Sequence, residues 1–334
     1  MAYLPSFAVS ARLVTLVEEI AALRTSVLAA TVQVPWIPRL QKDARVRNTH
    51  SSTAIEGNPL TRPQVLAIEE GRAVPAIAAR SEREVRNYLA GLRYIEKNAR
   101  RRRITHRDVL RLHGLIAGDV MDQGEPGKYR AIPVWVGSLP MPEPSQVSGL
   151  VAELLDWWNT QSAQWSPVIS SAVIHYRFEE IHPFGDGNGR TGRALALWEL
   201  YRRGFDSHHI FSVDEYYEEN RPRYYDALRR VRRQNGDLTD WLEYCAEGVK
   251  LTLERVWMRV QRLAVKGDAG KVVLKPKQEL LLSFLRDRQA MTPREIRTAL
   301  GVSKQGALDS VKPLVEAGLV RRVGTRKSGK YILA

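Results

Sequence analysis

Cysteine is almost absent: Cys245 stands alone among 334 residues, which excludes an intrachain disulfide framework and fits a reducing cytoplasm. Cys245 itself reads as a small buried apolar residue rather than a nucleophile. Long apolar runs are missing as well. The opening stretch MAYLPSFAVSARLVTLVEEIAALRTSVLAA lacks a basic leader region, and Arg12, Glu18, Glu19 and Arg24 break its hydrophobicity, so neither secretion nor a membrane span is expected. The sequence has no internal repeat and no low-complexity tract. Acidic residues are the minority, 37 Asp and Glu against 51 Lys and Arg. The resulting net charge of +14 favours a polyanionic partner such as nucleic acid, nucleotide or an acidic lipid surface.

What the chain does have is helical period and enough length for two or three folding units. Leu13, Leu16, Val17, Ile20, Leu23 and Val27 line one face of a helix, and similar patterns, separated by Pro and Gly, run to about residue 260. Strand-like alternation is confined in this body to GEPGKYRAIPVWVGSLPMPEP, where Val134, Trp135 and Val136 predict a small hairpin or flap. The spacing predicts helices over Val147 to Asn159 and from Pro167 to about Ile181. Pro183 stops the second and leaves His182 at the mouth of a loop. A polar, Gly-containing linker is expected at 265–275, between a helical body and a basic tail. The expected organisation is an N-terminal helical region over 1–75, a main domain over 76–264 and a small domain over 276–334.

The segment His182 to Arg193, HPFGDGNGRTGR, concentrates the chemistry. Gly185, Gly187, Gly189 and Gly192 let backbone N–H groups turn toward an anion, and the helix that follows adds unsatisfied donors and the positive end of its dipole. Arg190 and Arg193, three apart on the first turns, can grip further phosphates, so a di- or triphosphate fits better than one phosphate. Asp186 would be costly beside phosphates unless a divalent cation bridges them, which implies Mg²⁺. His182 could take a proton from an attacking hydroxyl. The remaining histidines, His50, His106, His113, His175, His208 and His209, read as structural.

HPFGDGNGRTGR resembles the signature of Fic-domain proteins, His-Pro-Phe-x-Asp/Glu-Gly-Asn-Gly-Arg-x-x-Arg, and departs from it at no defined position. The resemblance implies a mainly α fold and a magnesium-dependent transfer of AMP from ATP to Ser, Thr or Tyr hydroxyls of proteins, the chain itself included. It makes His182 the base, Asp186 the Mg²⁺ ligand, Gly187, Asn188 and Gly189 the anion hole for the α- and β-phosphates, and Arg190 and Arg193 the grip on the outer ones. Gly189, where a phosphate-transferring branch carries lysine, favours adenylylation. PGKYRAIPVWVGS resembles the family's approach to the flap, whose edge from Ala131 through Val134, Trp135 and Val136 could hold a target segment by backbone pairing. SVDEYYEENRPRYYDALRRV resembles the helix beyond the loop, where Asn220, Tyr217 and Tyr224 could meet adenine or pack in the core.

Ser52 and Glu56 of STAIEG share a helix face, and Gly57 before Asn58 and Pro59 is a helix stop, expected for a helix over about 47–57. Glu56 at the C-terminal end of that helix calls for a cationic partner. The run S-x-x-x-E-G resembles the inhibitory motif of Fic proteins of the class with an N-terminal inhibitory helix. That resemblance pairs Glu56 with Arg193, puts Glu56 in the γ-phosphate region and gives Ser52 a supporting hydrogen bond. Some members use this glutamate to remove AMP, which stands as an alternative activity.

From Pro276 onward there are 12 Lys and Arg against 5 Asp and Glu. TPREIRTAL predicts a capped helix, Gly301 and Val302 a turn, and Ser303 to Ala317 a second helix with Leu308, Val311, Leu314 and Val315 inward and a kink or early stop at Pro313. LVRRVGTRKSGKYILA predicts a two-stranded wing. The whole resembles a winged-helix domain. Lys304, Gln305, Asp309 and Lys312 would lie on its recognition helix, with Arg322, Arg326, Lys327 and Lys330 facing phosphates from the wing. DNA or protein is its expected partner, and the N-terminal helix or the tail could mediate a homodimer. A DNA-binding regulator with a nucleotide-sensing site is the competing function.

Overall fold

The computed structural model describes residues 3–31, 37–75, 77–206, 208–266, 276–316, 319–324 and 329–333. Its helices are α1 (Ala11–Thr31), α2 (Ile37–Ile55), α3 (Arg62–Glu69), α4 (Ala79–Lys97), α5 (His106–Ala117), α6 (Pro144–Thr160), α7 (Pro167–Ile181), α8 (Asn188–Arg202), α9 (Asp214–Glu219), α10 (Arg221–Arg233), α11 (Thr239–Lys266), α12 (Pro276–Arg288), α13 (Pro293–Leu300) and α14 (Lys304–Glu316). Strands β1 (Trp135–Val136) and β2 (Leu139–Pro140) form one antiparallel hairpin, and β3 (Val320–Val323) and β4 (Lys330–Leu333) another. The fold is mainly α, as expected. It divides into two compact units, Met1–Arg24 with Asp43–Val256, and Thr25–Lys42 with Trp257–Ala334.

In the first unit α7 and α8 pack along their lengths. Both are buried nearly all round, from Val168 to Ile181 and from Asn188 to Tyr201, the pattern of core helices rather than of amphipathic surface ones. Pro167 opens α7 at a position where its missing N–H costs nothing. His182 caps its far end in the left-handed conformation (φ 50°), which turns the chain sharply into the loop. α4, α5 and α6 surround this pair. A Thr105–Asp108 capping box starts α5, and Leu13, Leu16 and Ile20 form the buried stripe of α1 in this unit.

The second unit has its own core, in which Leu281, Leu285, Met291, Ile296, Val311, Leu314, Val320 and Tyr331 meet. A Thr292–Glu295 capping box opens α13 and left-handed Gly301 closes it. The wing pairs Val320 with Leu333 and Val323 with Lys330, and Met291 bridges to Tyr331. Two expectations need correction. Leu308 and Val315 are exposed rather than inward, because the buried stripe of α14 runs through Ala307, Ser310, Val311 and Leu314, and both lie off it. Of the kink or early stop expected at Pro313, the early stop does not occur, since α14 continues through it to Glu316. Residues 267–275 of the expected linker, and Arg326 and Lys327 of the wing, lie outside the described residues. No helix among the described residues is long and apolar enough to cross a membrane.

Candidate functional site

A cavity of about 750 Å³ opens beside the N-terminus of α8. Its floor is the loop after α7, with His182, Gly185, Asp186, Gly187, Asn188 and Gly189. One wall is the hairpin from Trp135 to Leu139, the other is α10 with Tyr224, Tyr225 and Leu228. The loop is braced from within. The Asn188 side chain donates from Nδ2 to the Phe184 carbonyl and accepts the Phe184 N–H at Oδ1, each at 2.9 Å. His113 stacks on Phe184 at 3.5 Å and accepts the Gly127 N–H at Nδ1 (2.9 Å), so Nε2 carries the proton donated to the Asp186 carbonyl (2.9 Å). Burial lowers the His113 pKa to about 4 and keeps it in this neutral tautomer. With its side chain committed to the loop, Asn188 has its backbone N–H left to offer an anion. The first intrahelical bond of α8 is Thr191 N–H to the Gly187 carbonyl (3.1 Å), so the N–H groups of Asn188, Gly189 and Arg190 precede it as first-turn donors.

His182 keeps a fifth of its side chain exposed, and its Nδ1 faces the Glu179 carbonyl at 3.3 Å. Burial, opposed by that hydrogen bond, depresses its pKa to about 4, so the ring is neutral at pH 7 and Nε2 carries the lone pair. Arg130 ties hairpin to loop: Nε donates to the His182 carbonyl (2.8 Å), Nη1 to Ile132 (3.1 Å) and Nη2 to Pro142 (2.5 Å). Nη2 also reaches the Ile181 carbonyl at 3.5 Å, and nothing in the sequence pattern marks this role, because all four acceptors are backbone carbonyls.

Arg193 is buried and donates to three groups of the α2 terminus. Its Nε reaches Ser52 Oγ (2.8 Å), and Nη2 reaches the Ser52 carbonyl (2.9 Å) and Glu56 Oε1 (2.8 Å). Desolvation opposes the Glu56 charge, yet Arg193, Arg190 and Arg221 outweigh it and hold the carboxyl below its ordinary pKa. Glu56 is therefore an anion seated at the cavity, a third of its side chain exposed there. Gly189 admits it: a Cβ at that position would lie 2.5 Å from Glu56 Oε1. Gly57 follows with φ 95° and ends the helix as expected.

The other expected site residues scatter. Arg190 is buried behind the loop, absent from the cavity wall, with Nε and Nη1 unpartnered among the described residues and Nη2 3.6 Å from Asp186. Tyr224 borders the cavity, whereas Tyr217 faces a smaller void behind it and reaches Cys245, and Asn220 is an exposed N-cap of α10. Ala131 and buried Val134 lie outside the cavity wall, while exposed Trp135 and Val136 form its edge. Tyr225, Leu228 and Arg221 line it without having been singled out, since the helix break at Asn220 sets the phase of α10. Asp186 accepts only backbone N–H groups, from Gly187 and Asp122, and no cluster of three metal-ligating side chains occurs among the described residues. One carboxylate fits a Mg²⁺ whose remaining ligands are phosphates and water.

Fold and site together define a class. The Fic/DOC family model matches residues 103–200 and the MarR family model residues 274–330. The chain thus carries a Fic domain followed by a MarR-type winged helix. It is 32% identical over 222 residues to "Protein adenylyltransferase Fic" of Aedes aegypti, covering 65% of this chain and 43% of that protein. It is 32% identical over 240 residues to "Protein adenylyltransferase fic-1" of Caenorhabditis briggsae, covering 70% and 45%. The chain spans less than half the length of these curated relatives. A crystal structure of a Fic family protein from Desulfovibrio desulfuricans G20 superposes with a TM-score of 0.66 at 27% identity, covering 99% of this chain and 98% of that one.

Proposed function

We propose that the chain is a protein adenylyltransferase restrained by its own Glu56. The observation that carries this reading is the buried Arg193, which lines the cavity beside the signature loop and is already occupied by the Glu56 carboxylate. ATP would enter with its phosphates on the first-turn N–H groups of α8 and on Arg193, and its base between the hairpin edge and Tyr225 and Leu228. Asp186 would hold Mg²⁺, which neutralises phosphate charge. A Ser, Thr or Tyr hydroxyl of a protein held along the hairpin gives its proton to His182 Nε2 as its oxygen attacks the α-phosphorus. The bond from that phosphorus to the bridging oxygen breaks, and pyrophosphate leaves with the electron pair. Glu56 competes with the γ-phosphate for Arg193, so ATP binds unproductively until it withdraws.

The test is mass spectrometry of the Glu56→Gly chain incubated with ATP and Mg²⁺. An added AMP on the chain or on a protein target supports the reading, and its absence refutes it. Loss of AMP from pre-modified protein with the native chain, but not with Glu56→Gly, would assign removal to Glu56 instead.

A second reading concerns the winged helix. Lys304, Gln305, Asp309 and Lys312 are all exposed along α14, and Arg321 and Arg322 point outward from β3. This supports duplex DNA as the partner, with α14 at the base edges and the wing at phosphates. Duplex affinity measured with and without ATP would reveal whether the nucleotide site regulates it.

A further inference from the structure

Glu179 sits one turn before His182 on α7 and borders the cavity. We propose that Glu179 is the positioning residue of the base. Its carboxylate backs the Nδ1 edge of the His182 ring, keeps Nε2 as the lone-pair nitrogen on the cavity side, and stabilises the imidazolium formed when the target hydroxyl yields its proton. This inference rests on the reading of His182 as the base for adenylyl transfer.

Three observations of geometry support it. Glu179 Oε2 lies 3.7 Å from His182 Nδ1, on the same side as the Glu179 carbonyl that faces the same nitrogen at 3.3 Å. Its other oxygen, Oε1, is buried and has no hydrogen-bond partner among the described residues, a costly state for a carboxyl that merely filled space. The third is a seat built for it on α8. A Cβ on Gly192 would lie 2.5 Å from Glu179 Oε1, so glycine, at a position the signature leaves undefined, lets the carboxyl approach.

The charges around the pair set the sign of its pH dependence. Arg193 of α8 and Glu56 beyond α2 face Glu179, Tyr224 of α10 lies nearby, and Arg130 before the hairpin and Arg232 of α10 act on His182. Burial raises the Glu179 pKa to about 8, with Arg193 opposing and Glu56 reinforcing the rise. Below that pH the carboxyl is neutral and gives the imidazolium little support. Above it, a carboxylate 3.7 Å from Nδ1 strengthens the base. The transferred proton stays on Nε2 until released to solvent, and Glu179 exchanges no atom with substrate.

The experiment follows AMP incorporation by the full-length Glu56→Gly chain from about pH 6 to about pH 9.5. The rate should climb across this range. With Glu179→Gln added, the profile should flatten and lie about tenfold lower at the alkaline end, with the KM for ATP within about twofold. Gly192→Ala, which displaces the carboxyl, should flatten the profile likewise and lower the rate no further in combination with Glu179→Gln. A Glu179→Gln profile superimposed on its parent, or lowered by one factor at every pH, would overturn the proposal. Nitrogen-15 histidine spectra without ATP, assigned through His182→Gln, give an independent readout. The His182 resonances should shift as Glu179 ionises and lose that step in Glu179→Gln; no step in the parent also overturns it. If the Glu56→Gly parent takes up no AMP, adenylyl transfer fails as the reading, and the ring spectra alone decide the Glu179 contact.

Discussion

Arg193 concentrates the energetics of the site in one side chain. A guanidinium this deeply buried needs anionic and hydrogen-bonding partners, and it has them in Glu56 Oε1, both oxygens of Ser52, and Asp214 Oδ2 at 3.9 Å. Removing Glu56 leaves Ser52 and Asp214 in place, so the fold should survive while the cavity end of the guanidinium becomes available to a phosphate. Glu56→Gly is therefore expected to raise self-modification with labelled ATP by at least about tenfold, the weight of a charge-assisted hydrogen bond. Adding His182→Ala should abolish the signal. Ser52→Ala removes one neutral partner at 2.8 Å and should release the restraint only in part, by roughly two- to fivefold. The three chains compared in one autoradiograph check the order. An equal gain from Ser52→Ala and Glu56→Gly would mean that the α2 terminus had simply come loose.

At the scale of elements, the hairpin β1–β2 is too short to hold itself, with two residues per strand and exposed Trp135, Val136 and Leu139. Arg130 supplies what pairing cannot, by fastening Ile132 and Pro142 to His182. Arg130→Ala should lower the rate on protein targets by about tenfold with little change in the KM for ATP. Arg130→Lys should not restore it, because an ammonium cannot reach three carbonyls in a fork. Separate determination of kcat and KM tests this. The same elements show why sequence reasoning succeeded where it did. The loop was legible because twelve consecutive residues hold its glycines, acid, histidine and arginines, and Ser52 and Glu56 were legible because one helical turn separates them. Asn220 and Tyr217 lie off the cavity wall while Tyr225 and Leu228 line it, because α9 ends and α10 begins at Asn220, a break that the sequence pattern does not show. Glu179 and Gly192 meet between α7 and α8, and neither residue signals the other along the chain.

The basic charge of the chain is unevenly spread along its sequence. From residue 276 on, 12 cations stand against 5 anions, so this segment carries half of the net +14. On α14 the pairs that do form are internal and weak: Gln305 with Asp309 at 2.8 Å, and Lys312 with Glu316 at 3.8 Å between exposed side chains. A duplex held on such a face would bind chiefly by releasing counterions, with a slope of about −0.9 in log affinity against log salt for each phosphate neutralised. Charge reversal of Lys304, Lys312 and Lys330 in the full chain should weaken binding to a duplex and flatten that slope by about two to three. If the winged helix alone holds the duplex, His182→Ala should leave both quantities unchanged. Fluorescence anisotropy across a salt series measures the slope for each chain. A slope unaltered by the three reversals would remove DNA from the partners of this unit and leave protein recognition as the use of its exposed helix.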